Sequence, residues 1–217
     1  MPESILLRPP EPRSGRPFRK GLVIPMALTL LTAWGCAGED GPPPPPDPAS
    51  ERAAFWSSLQ ELCDEAFQGT VVRDTPSTPE SPFQDATLVM HVRECTPDEI
   101  RIPFHVGEDR SRTWVLTRLE GGFRLKHHHL HEDGVPDEVH LYGGDSAADG
   151  TGEWQEFPAD PFTADLLPAA AGNVWTVEVV PGELFAYALR REGTERAFRV
   201  EFDLTRPVPH PPAPWGG

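Results

Sequence analysis

The chain is short of positive charge: 19 arginines and lysines stand against 34 carboxylates in 217 residues, a net charge of −15. Such an acidic surface lacks the cations that displace phosphate counterions, which excludes sequence-independent nucleic-acid binding. Cysteine is scarce, at 3 residues, and none stands in a CxxC motif, so the usual zinc-ribbon and dithiol redox patterns are missing. No apolar run reaches the roughly 20 residues that a spanning helix needs. There is no GxSxG elbow, no P-loop, no GxGxxG after a strand and no HExxH. The acidic loops Gly143-Gly144-Asp145 and Asp149-Gly150-Thr151-Gly152 lack the EF-hand order of ligands and read as flexible turns. A hydrophobic share of 38% is low, but it is diluted by 27 prolines gathered largely towards the ends. The length suits one domain with flanking segments.

What is present begins with an uneven charge distribution. Residues 1–36 carry five basic and two acidic side chains, leaving 14 basic residues against 32 carboxylates in the rest. Arg16, Arg19 and Lys20 lead into the apolar run from Gly21 to Gly35, which Cys36 closes. A cationic segment before a short apolar core reads as a secretory signal. The ending Ala33-Trp34-Gly35-Cys36 resembles the lipobox of bacterial lipoproteins, in which the cysteine is lipidated and becomes the first mature residue. Leucine is usual where Ala33 stands, and a small residue where Trp34 stands. The resemblance implies an exported protein of the cell envelope, held to a lipid membrane through Cys36.

Residues 37–50 form a proline-rich linker. Pro42 to Pro46 are consecutive and favour a semi-rigid polyproline II spacer. A second proline-rich stretch, residues 207–217, reads as an extended tail. Between them lie Cys63 and Cys95, an even pair that export would oxidise to a disulfide.

The intervening segment, residues 51–206, reads as one helix followed by strands. Ser50 is placed to cap a helix starting at Glu51. Phe55, Leu59, Leu62 and Ala66 recur at helical spacing, and Gly69 is the expected stop. Alternation then takes over. Leu88, Met90 and Val92 share a face, as do Ile100 to Val106, Trp114 with Leu116, and Phe123 with Leu125. Shorter pieces follow at Val139–Leu141 and Trp154–Phe157, then longer ones at 174–180, 184–190 and 196–204. Turn signals such as Gly107, Gly121-Gly122, Pro181-Gly182 and Glu192-Gly193 separate them. The pattern predicts a mainly all-β fold: an antiparallel up-and-down barrel or strongly curved sheet of about 8–10 strands, with one N-terminal α-helix.

A helix before such a meander is similar in architecture to the calycins, the lipocalin-like ligand-binding barrels, although the lipocalin Gly-x-Trp signature is absent. Several phrases, among them Met90-His91-Val92-Arg93, Ile102-Pro103-Phe104-His105-Val106-Gly107 and Phe157-Pro158-Ala159-Asp160, resemble an uncharacterised family of exported bacterial proteins. That likeness implies one intact domain and supplies no chemistry.

The chemical signal is a histidine cluster: His127, His128, His129, His131 and His140. Continued as one strand, Gly122 to Glu132 puts His127, His129 and His131 on the inward face shared by Phe123 and Leu125. Three readings follow. The histidines are polar groups of a barrel rim, paired with nearby carboxylates; or they line a pocket for a small anionic or haem-like ligand, with Arg110 and Arg112 adding positive charge; or His127 and His129 ligate the metal of a hydrolase. The second is the reading adopted, with a metal-dependent hydrolase and a non-catalytic envelope scaffold as its rivals. The run Asp109 to Trp114 reads as a turn. His91 and His105 share faces with Arg93 and Arg101 and are expected to point to solvent.

Overall fold

The computed structural model describes residues 47–76, 81–83, 85–147 and 150–217. The signal segment, Cys36 and the linker as far as residue 46 lie outside the described residues. Helix α1 (Pro48–Glu61) begins earlier than its sequence signal suggested: Asp47 is the cap, its carboxylate accepting from Ala49 N at 3.3 Å, and proline occupies the first turn. It also ends earlier. Asp64, at φ 67°, turns the chain, and Ala66 and Phe67, which fit a helical period, open a strand instead.

Eleven strands follow: β1 (Ala66–Thr75), β2 (Leu88–His91), β3 (Glu94–Cys95), β4 (Glu99–Val106), β5 (Asp109–Arg118), β6 (Phe123–His129), β7 (Tyr142–Asp145), β8 (Trp154–Pro158), β9 (Asn173–Val180), β10 (Leu184–Arg191) and β11 (Ala197–Val208). All pairings are antiparallel. The order is β7-β6-β5-β4-β2-β1-β11-β10-β9-β8, with β3 a short side branch on β4. Around the barrel, strands therefore lie beside their chain neighbours, and the first strand pairs with the last. The result is a nearly closed, up-and-down barrel of ten strands.

The remaining gap, between β7 and β8, is sealed by single contacts rather than a ladder. Asp160 N donates to Gly143 O at 2.9 Å and Ala147 N to Glu156 O at 2.8 Å. The short helix α2 (Pro161–Leu166) contributes Thr163, fully buried, whose hydroxyl accepts from Gly143 N at 2.7 Å and donates to Gly143 O at 2.8 Å. The close approach explains the glycines: a Cβ at Gly143 would lie 1.9 Å from Leu125 O, and one at Gly144 1.8 Å from Pro158 O. Gly143-Gly144-Asp145 is thus a seam strand and not a flexible turn, while Val139–Leu141, expected as a strand, is loop.

Inward side chains alternate along every long strand and form a single core. Helix α1 plugs one end. Its Phe55 and Trp56 pack on Phe123, at the start of β6, with ring centroids 5.2 and 5.6 Å apart. Burying Phe55, Trp56 and Leu59 in this way contributes about 1.5–3 kcal/mol per side chain. The disulfide Cys63–Cys95 ties the end of the plug region to β3. The opposite end, reached by the far end of β6, stays open.

Candidate functional site at the barrel mouth

Four inward rows change character at the open end. On β6, Phe123 and Leu125 give way to His127 and His129; on β5, Trp114 gives way to Arg112. On β10, Phe185, Tyr187 and Leu189 lead to Arg191, and Phe198 at the start of β11 is preceded by Arg196. Strand alternation alone carries an apolar row outward into a cationic rim. These rows, with Tyr142, Trp175, Asn173 and the 167–170 segment, enclose a cavity of about 340 Å³. That size lies within the range of small-molecule sites. Among the described residues, its lining includes three arginines and no carboxylate, serine or cysteine.

The cavity wall is an aromatic stack. Trp114 and Tyr187 lie 4.4 Å apart at 19°, and His127 and Tyr142 lie 4.4 Å apart at 4°. Register explains the contact between β5 and β6, because Trp114 pairs with His127 and Arg112 with His129. His127 Nδ1 is 3.0 Å from Tyr142 O, and a carbonyl can only accept, so Nδ1 carries the proton. Nε2 is therefore the acceptor for the Tyr187 hydroxyl at 2.6 Å. Both ring nitrogens are occupied, which leaves His127 without a lone pair for a metal in this arrangement.

Burial pushes the His127 imidazole down to about 3, and burial followed by the Arg112 charge pushes His129 down to about 4. Burial raises the Tyr142 hydroxyl to about 12 and Tyr187 well above its ordinary value. At neutral pH the histidines and tyrosines are uncharged hydrogen-bonding groups. Positive charge comes from the rim instead. Arg112 pairs with Asp109 and Arg196 with Asp74. Arg191 donates from Nε to Asn173 Oδ1 at 2.8 Å, and its salt-bridge partner is not found among the described residues.

The structure separates the residues that strand parity had grouped. His127, His129 and Arg112 line the cavity. His131 does not: β6 ends at His129, Leu130 bridges to Pro136, and His131 is exposed in a turn whose N–H donates to Val135 O. Arg110 points outward. Phe104 pairs with Arg112 but Val106 with Asp109, so one extra residue intervenes. Such a bulge exchanges the faces of the residues beyond it. The run Asp109–Trp114 is accordingly bulged strand and not a turn. Residues that sequence reasoning missed are Tyr142, Trp175, Tyr187, Arg191 and Arg196. An apolar alternating row ending in arginine was the available signal on β10 and β11.

The outer face holds the second correction. His91 and His105 do point away from the core, yet they are only 3% and 4% exposed. The stretch expected to be an extended tail covers this side as a strap. Val208 still pairs with Ala66; beyond it the His210 ring lies 4.5 Å from that of His91. Further on, the Arg110 guanidinium donates to Ala213 O at 2.9 Å and Trp215 N to Arg110 O at 3.1 Å. Comparison of the chain with known protein families, with curated proteins and with solved structures finds no match.

Proposed function

We propose that this is an exported, lipid-anchored binding protein of the cell envelope, whose barrel mouth holds a small molecule with a flat apolar body and an anionic end. The observation that carries the binding reading is the 340 Å³ cavity, aromatic within and arginine-lined at its rim, in a chain of net charge −15. Aromatic walls offer stacking and apolar burial, and Arg191, backed by Asn173, offers a charge-assisted donor to a carboxylate. With neutral histidines and no carboxylate, serine or cysteine in the lining among the described residues, binding fits this site better than hydrolysis. The export reading rests on the leader sequence and on Cys36, and the disulfide is consistent with an oxidising compartment.

The test is a fluorescence titration with 1-naphthoate and its uncharged amide. Naphthoate should quench indole emission and saturate at one equivalent, with the amide and the Arg191→Ala variant each binding about tenfold more weakly. Leu189→Trp, which fills the mouth, should abolish saturable quenching. Equal binding of acid and amide, or binding unaffected by Leu189→Trp, would show that the arginine rim and the cavity are not the site.

A further inference from the structure

On the outer face, far along the chain from the histidine strand, three ligand-type side chains converge. Asp64 sits in the turn between α1 and β1, His91 ends β2, and His210 lies two residues beyond β11. His91 Nε2 is 3.8 Å from Asp64 Oδ1, and His210 Nδ1 is 3.9 Å from the same oxygen. One ligand atom from each lies within 4.8 Å of the other two. These separations are too long for hydrogen bonds. The groups face one another without satisfying one another.

The decisive detail is His91. It is 3% exposed, and its Nε2 is buried with no hydrogen-bond partner. An orphaned nitrogen costs stability unless something outside the polypeptide fills its lone-pair direction.

We propose that Asp64, His91 and His210 form a binding site for a late first-row divalent cation of the zinc(II) type, which fastens the C-terminal strap to the barrel wall. Two imidazoles and a carboxylate suit such a cation, and a solvent molecule completes a tetrahedron. Bonds of about 2.0–2.2 Å in a tetrahedron set ligand atoms roughly 3.3 Å apart. Each carboxylate contact therefore tightens by only about half an ångström. The mobile partners are the right ones: the Asp64 and His210 side chains are 82% and 51% exposed, while His91 is fixed in the wall. The backbone is already set, since Asp64 holds its left-handed turn with N–H donating to Val92 O at 2.7 Å, beside the Cys63 disulfide. The cation would join the two ends of the domain at residues 64 and 210, next to the β1–β11 pairing that closes the barrel.

The test uses the full chain without a histidine tag, stripped with chelator and titrated calorimetrically with zinc chloride. One equivalent should bind, and His210→Ala, an exposed change that spares the core, should weaken binding about tenfold or more. Hydrogen exchange gives an independent readout: zinc should slow exchange at Trp215 N–H severalfold in the wild type and leave it unchanged in His210→Ala. His129→Ala should bind zinc as the wild type does. No saturable zinc binding, binding equal in wild type and His210→Ala, or binding lost in His129→Ala would each overturn the site.

Discussion

Acidification from pH 6.5 to 4.5 should cost the folded state about 2 kcal/mol through His127 alone. An unfolded imidazole titrates near 6.5, whereas burial holds this ring near 3 in the barrel. Between those values the unfolded chain binds a proton that the folded chain refuses. Unfolding free energy therefore falls as pH falls, approaching a slope of about 1.4 kcal/mol per pH unit for one proton. The penalty is absent well above pH 6.5 and complete only below about pH 3. Stopping at 4.5 keeps the measurement above the folded pKa and largely above carboxylates such as Asp145, which Arg124 holds low. The comparison is with His127→Asn, whose amide can replace the donor to Tyr142 O without titrating. Urea unfolding at half-unit intervals should show the wild type losing about 2 kcal/mol more than the variant across the window. His91, His105, His128 and His129, also pushed down chiefly by burial, steepen both curves alike. Parallel curves would mean that His127 protonates in place, and would refute the Nδ1–H, Tyr187-capped arrangement.

Two further outcomes test the frame around the site. Reducing the Cys63–Cys95 bridge, which closes a loop 32 residues apart, should lower unfolding free energy by about 3–4 kcal/mol, read from denaturant midpoints with and without reductant. Gly144→Ala should destabilise by about 1–3 kcal/mol or more, because its methyl group meets Pro158 O across the seam. A tolerated alanine with unchanged midpoint would mean that β7 and β8 do not approach as described.

The legible part of the fold was the set of strands with clean alternation. On β4 and β11 the inward rows were readable because apolar core residues alternate with mostly polar outward ones, as Phe198, Val200, Phe202 and Leu204 do with Arg199, Glu201 and Asp203. β1 was not, since its first two residues, Ala66 and Phe67, also satisfy a helical period and its remainder is mostly exposed. β7 was hidden for a different reason: Gly143 and Gly144 are chosen for backbone clearance, which hydropathy does not register. A smaller part of the candidate site was legible too. Parity placed His127 and His129 correctly, because β6 is regular as far as His129. It failed for His131, where the strand had ended, and for Arg110, where a bulge exchanges faces. For His91 and His105 parity gave the right face but could not say that both would be buried there, His91 beneath the chain's own C-terminal strap.

In the proposed binding mode, ligand enters the barrel mouth between the aromatic wall and the arginine rim. Proton–nitrogen correlation spectra of the labelled protein during a 1-naphthoate titration address it directly. Saturable shifts of the Trp114 and Trp175 indole N–H and the Arg191 Nε–H resonances are expected, with the backbone around His91 and His210 unmoved. Saturable binding whose shifts map to the outer face, leaving both indoles and Arg191 in place, would contradict it.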